Sequence, residues 1–266
     1  FIDNAAQNGG AIHSGAIVNN MGRLTVGKST FTGNTAQNGG AIHNVGDLTI
    51  TESELHNNKA RQYGGAISID RFESAFQSEI TITDTLFKEN IAQNGGAISN
   101  NCDGMIIVPF GGLNLNDGLV TVTRSTLQEN AAKDLGGAIQ NYGGTLNITE
   151  STLQENAAEN GGAISNDFAK LTVKKSTIEK NTAKYGGAIL NKCDGIIRGP
   201  FGRKIYDYGF VTIIESALNN NGAEYGGAIY NNVKLSLTDS MINENLQEYS
   251  PFLQIDASLT HSMFDE

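Results

Sequence analysis

Two cysteines, four histidines and 28 acidic residues are the groups with which this 266-residue chain could do covalent, metal or acid-base chemistry. Cys102-Asp103-Gly104 and Cys193-Asp194-Gly195 open two related stretches, NNCDGMIIVPFGG from 100 and NKCDGIIRGPFGR from 191. Aspartate followed by glycine is the composition of a turn, so Asp103 and Asp194 read as turn formers ahead of catalysts. His13 and His43 both follow the phrase GGAI. Stacked in adjacent repeats they would give two ligands where a zinc site takes about four, so surface positions are the better reading. A column of Lys28, Glu52, Asp84, Arg124, Glu150, Lys175, Glu215 and Asp239 precedes a Ser or Thr in successive repeats. Mixed signs in one column describe a solvated face, whereas polysaccharide hydrolysis needs carboxylates paired across a substrate. No catalytic residue, cofactor or metal ligand emerges, and the chain reads as a non-enzyme.

What must position these groups is a repeat. The pair Gly-Gly begins at Gly9, Gly39, Gly64, Gly95, Gly136, Gly161, Gly186 and Gly226, each time followed by Ala-Ile. The steps reduce to a unit of about 25 residues with insertions, which is the signature of a solenoid. Sixteen of the 32 glycines lie in these pairs. A nucleotide-binding loop would need a different glycine spacing ahead of a helix, and no helical period is visible.

Within one unit, residues 146 to 170, LNIT alternates apolar and polar as a half-buried strand does. Its counterparts are LTV at 24, LTIT at 48, ITIT at 80, VTVT at 120, LTV at 171, VTII at 211 and LSLT at 235. One such strand per rung is expected. An apolar residue then stands three positions ahead of an asparagine, giving the column Asn4, Asn34, Asn90, Asn130, Asn156, Asn181, Asn221 and Asn245, with LHNN at 55 a variant. Such a column suits an amide ladder in which each side chain bonds its neighbour one rung along. Rungs stacked about 4.8 Å apart as parallel strands must turn at one fixed place, and Gly supplies positive φ or close backbone approach there. Asn8, Asn38, Asn94 and Asn160 precede the pair and also tolerate a left-handed backbone.

The pairing of GGAI with F-x-x-N, as in FIDN at 1, FTGN at 31 and FKEN at 87, resembles the repeat of the chlamydial polymorphic membrane proteins and of related bacterial and archaeal adhesin-like proteins. The resemblance spans about residues 1 to 245. It implies an all-β fold, a single-stranded right-handed parallel β-helix of roughly 9 to 10 rungs. It also implies bacterial or archaeal display on a cell surface or outside the cell, and a role in adhesion.

The net charge of −10 argues against nucleic acid, whose phosphates call for clustered Lys and Arg. No apolar run is long enough for a transmembrane helix. Loop insertions are expected at about 100 to 118 and 191 to 210. Their Cys102, Asp103, Met105, Phe110, Cys193, Asp194, Ile196 and Phe201 are the candidate interaction residues, either folded against the coil wall or contacting a protein or glycan. Three rungs separate Cys102 from Cys193 by about 14 Å at the base, beyond the roughly 7 Å a disulfide spans unless the loops lean together. Outward Thr columns, Thr25 to Ser236 and Gly27 to Thr238, resemble the flat face of ice-binding solenoids but are interrupted by Lys174 and Ile214.

Residues 246 to 266 form an altered terminal rung, with Ser250-Pro251-Phe252-Leu253 where Gly-Gly-Ala-Ile is expected. Two readings follow. In the first the chain is a surface module for adhesion or spacing, and 246 to 266 is a cap. In the second that segment is a joint through which copies stack head to tail into a filament or sheath; lateral homo-oligomers are a related form.

Overall fold

The structure, a computed structural model, describes residues 17–19, 22–70, 79–101, 105–107, 113–115, 118–193, 197–198, 204–205, 209–248, 256–260 and 263–264. A full rung contributes up to four short strands, where the sequence reading expected one. The fourth rung is representative: Leu119–Thr123, Thr126–Gln128, Ala131–Leu135 and Ile139–Tyr142 lie on four successive walls. Like strands of successive rungs pair in parallel and in register. Leu119–Thr123, for example, lies between Glu79–Thr83 and Thr145–Thr149. Among the described residues the first and second walls each hold nine strands and the fourth wall eight. The third wall is split into sheets of four and three strands, joined through single bridges at Ala157 and Asn160. No helix occurs among the described residues, and the stack is consistent with a right-handed parallel β-helix.

Alternation explains which side chains point inward. On the first wall Val120 and Val122 are buried while Thr121 and Thr123 face out half-buried. The second wall is only three residues long and buries its centre, Leu127; the fourth buries Ile139 and Asn141. Inward columns of Ile, Leu, Val and Phe run the length of the coil as one apolar core. Burial of each such side chain contributes on the order of 2 kcal/mol.

The corners are left-handed. In the fourth rung Arg124, Glu129, Gly136 and Gly143 all have positive φ, at 45°, 55°, 63° and 72°. Non-glycine residues in this region cost about 1–2 kcal/mol each. Arg124 and Glu129 are nonetheless held there, because their N–H groups donate to Thr149 O at 3.0 Å and Gln154 O at 3.1 Å in the next rung. The charged column from Lys28 to Asp239 is therefore a column of corner residues as well as a solvated face. Asn38 and Asn94 are strand residues, and it is the first glycine of each described pair that takes the left-handed conformation.

The second glycine is needed for a different reason. A Cβ on Gly137 would lie 2.1 Å from Gly162 O and 2.6 Å from Ala157 N, both backbone atoms of the next rung. Neighbouring rungs approach so closely here that no side chain fits between them.

At the first described rung the register differs from the expected one. Ile17, Val18 and Asn19 pair with Ile42, His43 and Asn44. The partner of His43 is Val18, in the place the sequence reading gave to His13. His13 itself lies outside the described residues.

Candidate functional site

The interior carries three polar ladders. Asn34, Asn58, Asn90, Asn130, Asn156, Asn181, Asn221 and Asn245 occupy the corner between the second and third walls; the first seven are essentially unexposed. Each Oδ1 after the first accepts from the backbone N–H and the Nδ2 of the asparagine one rung before. At Asn130 these bonds, both from Asn90, are 3.0 and 2.9 Å. Its own Nδ2 donates to Asn156 Oδ1 at 3.0 Å and to Phe87 O at 3.1 Å. Every amide hydrogen and both acceptor directions are used, as a buried polar group requires. Asn4 lies outside the described residues.

Two further ladders were not read from the sequence. Ser29, Ser53, Thr85, Ser125, Ser151, Ser176, Ser216 and Ser240 line the corner after the first wall. The N–H of Ser125 donates to Ser151 Oγ at 3.1 Å, and Ser125 Oγ donates to Thr123 O at 2.9 Å. On the fourth wall Asn100 donates to Asn141 at 2.7 Å, Asn141 to Asn166 at 2.8 Å, Asn166 to Asn191 at 2.9 Å and Asn191 to Asn231 at 2.6 Å. The signal for this second amide ladder was present: it is the final Asn of the phrase GGAI-x-Asn.

Outside the core, charged columns pair along the stack. Arg124 grips Asp84 with two bonds of 2.9 Å. That hydrogen bond, with the guanidinium charge, holds the Asp84 carboxyl below its usual pKa, although partial desolvation opposes it. A depressed carboxylate pKa contributes stability above the ordinary carboxylate range and loses it as pH falls through the folded value. The pair is exposed, so the contribution is small. Arg124→Ala is expected to raise the Asp84 titration midpoint toward the ordinary carboxylate range, read by NMR; an unmoved midpoint would refute the pairing. Lys88 lies 3.4 Å from Glu89 and 3.6 Å from Glu129, and the Glu129 charge foremost raises its pKa.

His43 Nδ1 stands 3.4 Å from Asp70 Oδ2, both side chains 14% exposed. No group of three or more His, Cys, Asp or Glu poised to hold a metal occurs among the described residues. On the third wall a shallow open depression is lined by Ala131, Ala157, Ala158 and Glu159, where the five-residue strand Ala131–Leu135 meets the shorter rung at 157 to 160. Near the last glycine corner Tyr185 stacks on Tyr225 at 5.0 Å and meets Tyr230 edge-on at 5.5 Å.

Of the candidate loop residues, Cys102, Asp103, Phe110, Asp194, Ile196 and Phe201 lie outside the described residues. Met105 belongs to Met105–Ile107, which pairs antiparallel with Leu113–Leu115 as a hairpin. A second antiparallel pair joins Ile197–Arg198 to Lys204–Ile205. Cys193 is half-buried at the end of the fourth wall, its N–H donating to Asn232 Oδ1 at 3.2 Å. Both hairpins leave the coil between the fourth and first walls. Four other rungs cross that corner with only two residues, such as Gly143-Gly144 between Ile139–Tyr142 and Thr145–Thr149, whereas eight residues separate Ile67–Asp70 from Glu79–Thr83.

The geometry accounts for what comparison with known proteins finds. No curated protein and no solved structure matches the chain. The Chlamydia polymorphic membrane protein repeat matches at residues 28–45, 84–101 and 175–192. Each match begins at a left-handed corner residue, Lys28, Asp84 or Lys175, and runs through the second, third and fourth walls. It thus includes one asparagine of each amide ladder and the glycine pair, and leaves out the threonine-rich first wall. The chain is a parallel β-helix that carries the Chlamydia polymorphic membrane protein repeat.

Proposed function

We propose that the chain is a non-enzymatic module of a bacterial or archaeal cell surface, a stiff coil that presents side insertions to a protein or glycan on an opposing surface. The repeat it carries is described from a membrane protein, which supports surface placement. The observation that carries the reading is the common exit of both hairpins at one corner, with the register of the coil unbroken on either side. The corner ladder, unbroken from Asn34 to Asn245, fits the same reading, since it uses buried polar groups to tie rung to rung.

The test replaces residues 102 to 117 and 194 to 208 with the Gly-Gly crossing found at 143 and 144. Circular dichroism and melting temperature are expected to stay unchanged while binding to glycan arrays and to whole cells is lost. Equal binding by both proteins, or none by either, would sink the proposal.

A second reading, head-to-tail stacking, draws on one observation. Asp256–Thr260 pairs in register with Lys234–Thr238 and continues the first wall by another rung instead of folding across it. Electron microscopy over a range of concentrations separates the two. Single rods of roughly 45–50 Å, the length about ten rungs would have, favour the display module, and fibres favour stacking.

A further inference from the structure

The outer face of the third wall is unlike the others. Pairing and single bridges align one outward column from Thr35 through Ile91, Ala131, Ala157 and Thr182 to Leu246, over eight rungs. From the third rung onward this column holds no charge, and its alanines floor the shallow depression. Among the described residues five large apolar or aromatic side chains stand exposed, and three of them, Ile91, Tyr225 and Leu246, lie on this wall. Apolar surface gathered in this way marks a contact face.

The charges of the wall are sorted by rung. Lys59, Arg61 and Lys133 stand on the second to fourth rungs against one acid, Asp134, to which Gln93 Nε2 donates at 2.8 Å. Glu159, Glu224 and Glu248 stand on the fifth to eighth rungs against one base, Lys184, whose Nζ lies 5.6 Å over the Tyr185 ring. The two halves of the wall therefore carry opposite net charge. At the corner after the first wall, charges pair along the stack, as Lys28 does with Glu52, Arg124 with Asp84 and Lys175 with Glu215. On the third wall no such pair forms among the described residues, even between Lys133, Glu159 and Lys184 on three successive rungs.

We propose that the third wall docks a second copy of this chain, antiparallel, about a two-fold axis that runs along the strands between the fourth and fifth rungs. This axis sets the second rung opposite the partner's seventh, the third opposite its sixth and the fourth opposite its fifth. Arg61 then faces the partner's Glu224 and Lys133 the partner's Glu159, and symmetry makes each contact twice. Ile91 meets the partner's Thr182 and Ala183, at the rim of the depression. A parallel pair would lay each rung on its own copy and set like charge on like. Eight rungs about 4.8 Å apart, each with four residues of about 3.3 Å, give a face of roughly 500 Å² per copy. A pair buries about 1,000 Å², the lower end for a specific interface, so association in the micromolar range or weaker is expected. Neither the hairpins nor the ends of the coil take part, so the pairing is separate from the surface role.

Sedimentation equilibrium and small-angle scattering on the full chain, from micromolar to millimolar protein, test the pairing. The expected result is a monomer-dimer equilibrium, weakened by salt, in which the dimer keeps the length of one rod. Arg61→Glu and Glu224→Arg, each alone, bring like charges together twice per dimer and are expected to weaken dimerisation about tenfold at low salt. Combined in one chain they are expected to restore it. The two positions are five rungs, or about 24 Å, apart within a chain, so recovery can arise only between copies. Neither side chain is in an ion pair of its own chain, and the melting temperatures of all three variants are expected to match the parent's. A chain that stays monomeric throughout, as it would if the face served a different protein, would overturn the proposal. So would a dimer of twice the rod length, or a double variant as weak as the single ones.

Discussion

Gly137→Ala is expected to abolish the native stack or to cost more than about 4 kcal/mol, the range reserved for direct backbone conflict. The added carbon would sit 2.1 Å from Gly162 O and 2.6 to 2.7 Å from Ala157 N and O. None of these is a flexible side-chain tip that could swing away. The only relief is to move the fifth rung off the fourth, and that breaks the bond from Gly137 N–H to Gly161 O at 3.1 Å together with its neighbours. Ala138, one residue later, is already alanine and fully buried, so an extra methyl is tolerated one position along the chain but not here. Thermal melting followed by circular dichroism measures the effect. A variant that melts within a few degrees of the parent would show that the rungs can part without loss.

The second large effect is expected from Asn130→Ala, at the middle of the corner ladder. The truncation removes the acceptor of Asn90 N–H and Asn90 Nδ2, and the donor to Phe87 O and Asn156 Oδ1. These groups lie in the interior, beside an asparagine that is 1% exposed. A buried group left unpaired costs about 1–3 kcal/mol. The four losses are not additive, because a trapped water restores some of them, so a net loss of about 3–5 kcal/mol is expected. Asn245→Ala, in the last link of the described ladder, breaks as many bonds but in a half-exposed site where water replaces them, and is expected to cost less than half as much. Urea denaturation of both variants gives the comparison. Equal costs at the two positions would mean that the ladder is not what holds the corner.

How much of this was legible in the sequence follows from the length of each element. The first wall is five residues per rung, long enough for the period of two in VTVT or LNIT to show. The second wall is three residues, and the fourth three or four, too short for any period, so one strand per rung was read where there are four. Glycine pairs announced a tight corner because no other residue is chosen for that geometry twice in succession. The corners at Arg124 and Glu129 gave no such sign, since a charged residue with positive φ looks in sequence like any exposed charge. The inward Ser column was visible as a recurring letter, but short hydroxyls recur on outer faces too, as the threonines of the first wall do. His13 was misplaced because the first rung carries two competing phrases, GGAI at 9 and SGAI at 14, and only the observed pairing of Ile17 with Ile42 chooses between them.

The common exit of both hairpins between the fourth and first walls bears on how such a chain changes by descent. All three ladders are anchored on the stretch from the corner before Ser to the Asn of the fourth wall, and the hairpins lie outside that stretch. An in-frame duplication or deletion that begins and ends at the exit corner adds or removes a whole rung and leaves matching partners on both sides. An event of this kind would change the number of rungs, or exchange the segment carried at the corner, without a new core having to be selected. The coil is a reading frame for its own insertions.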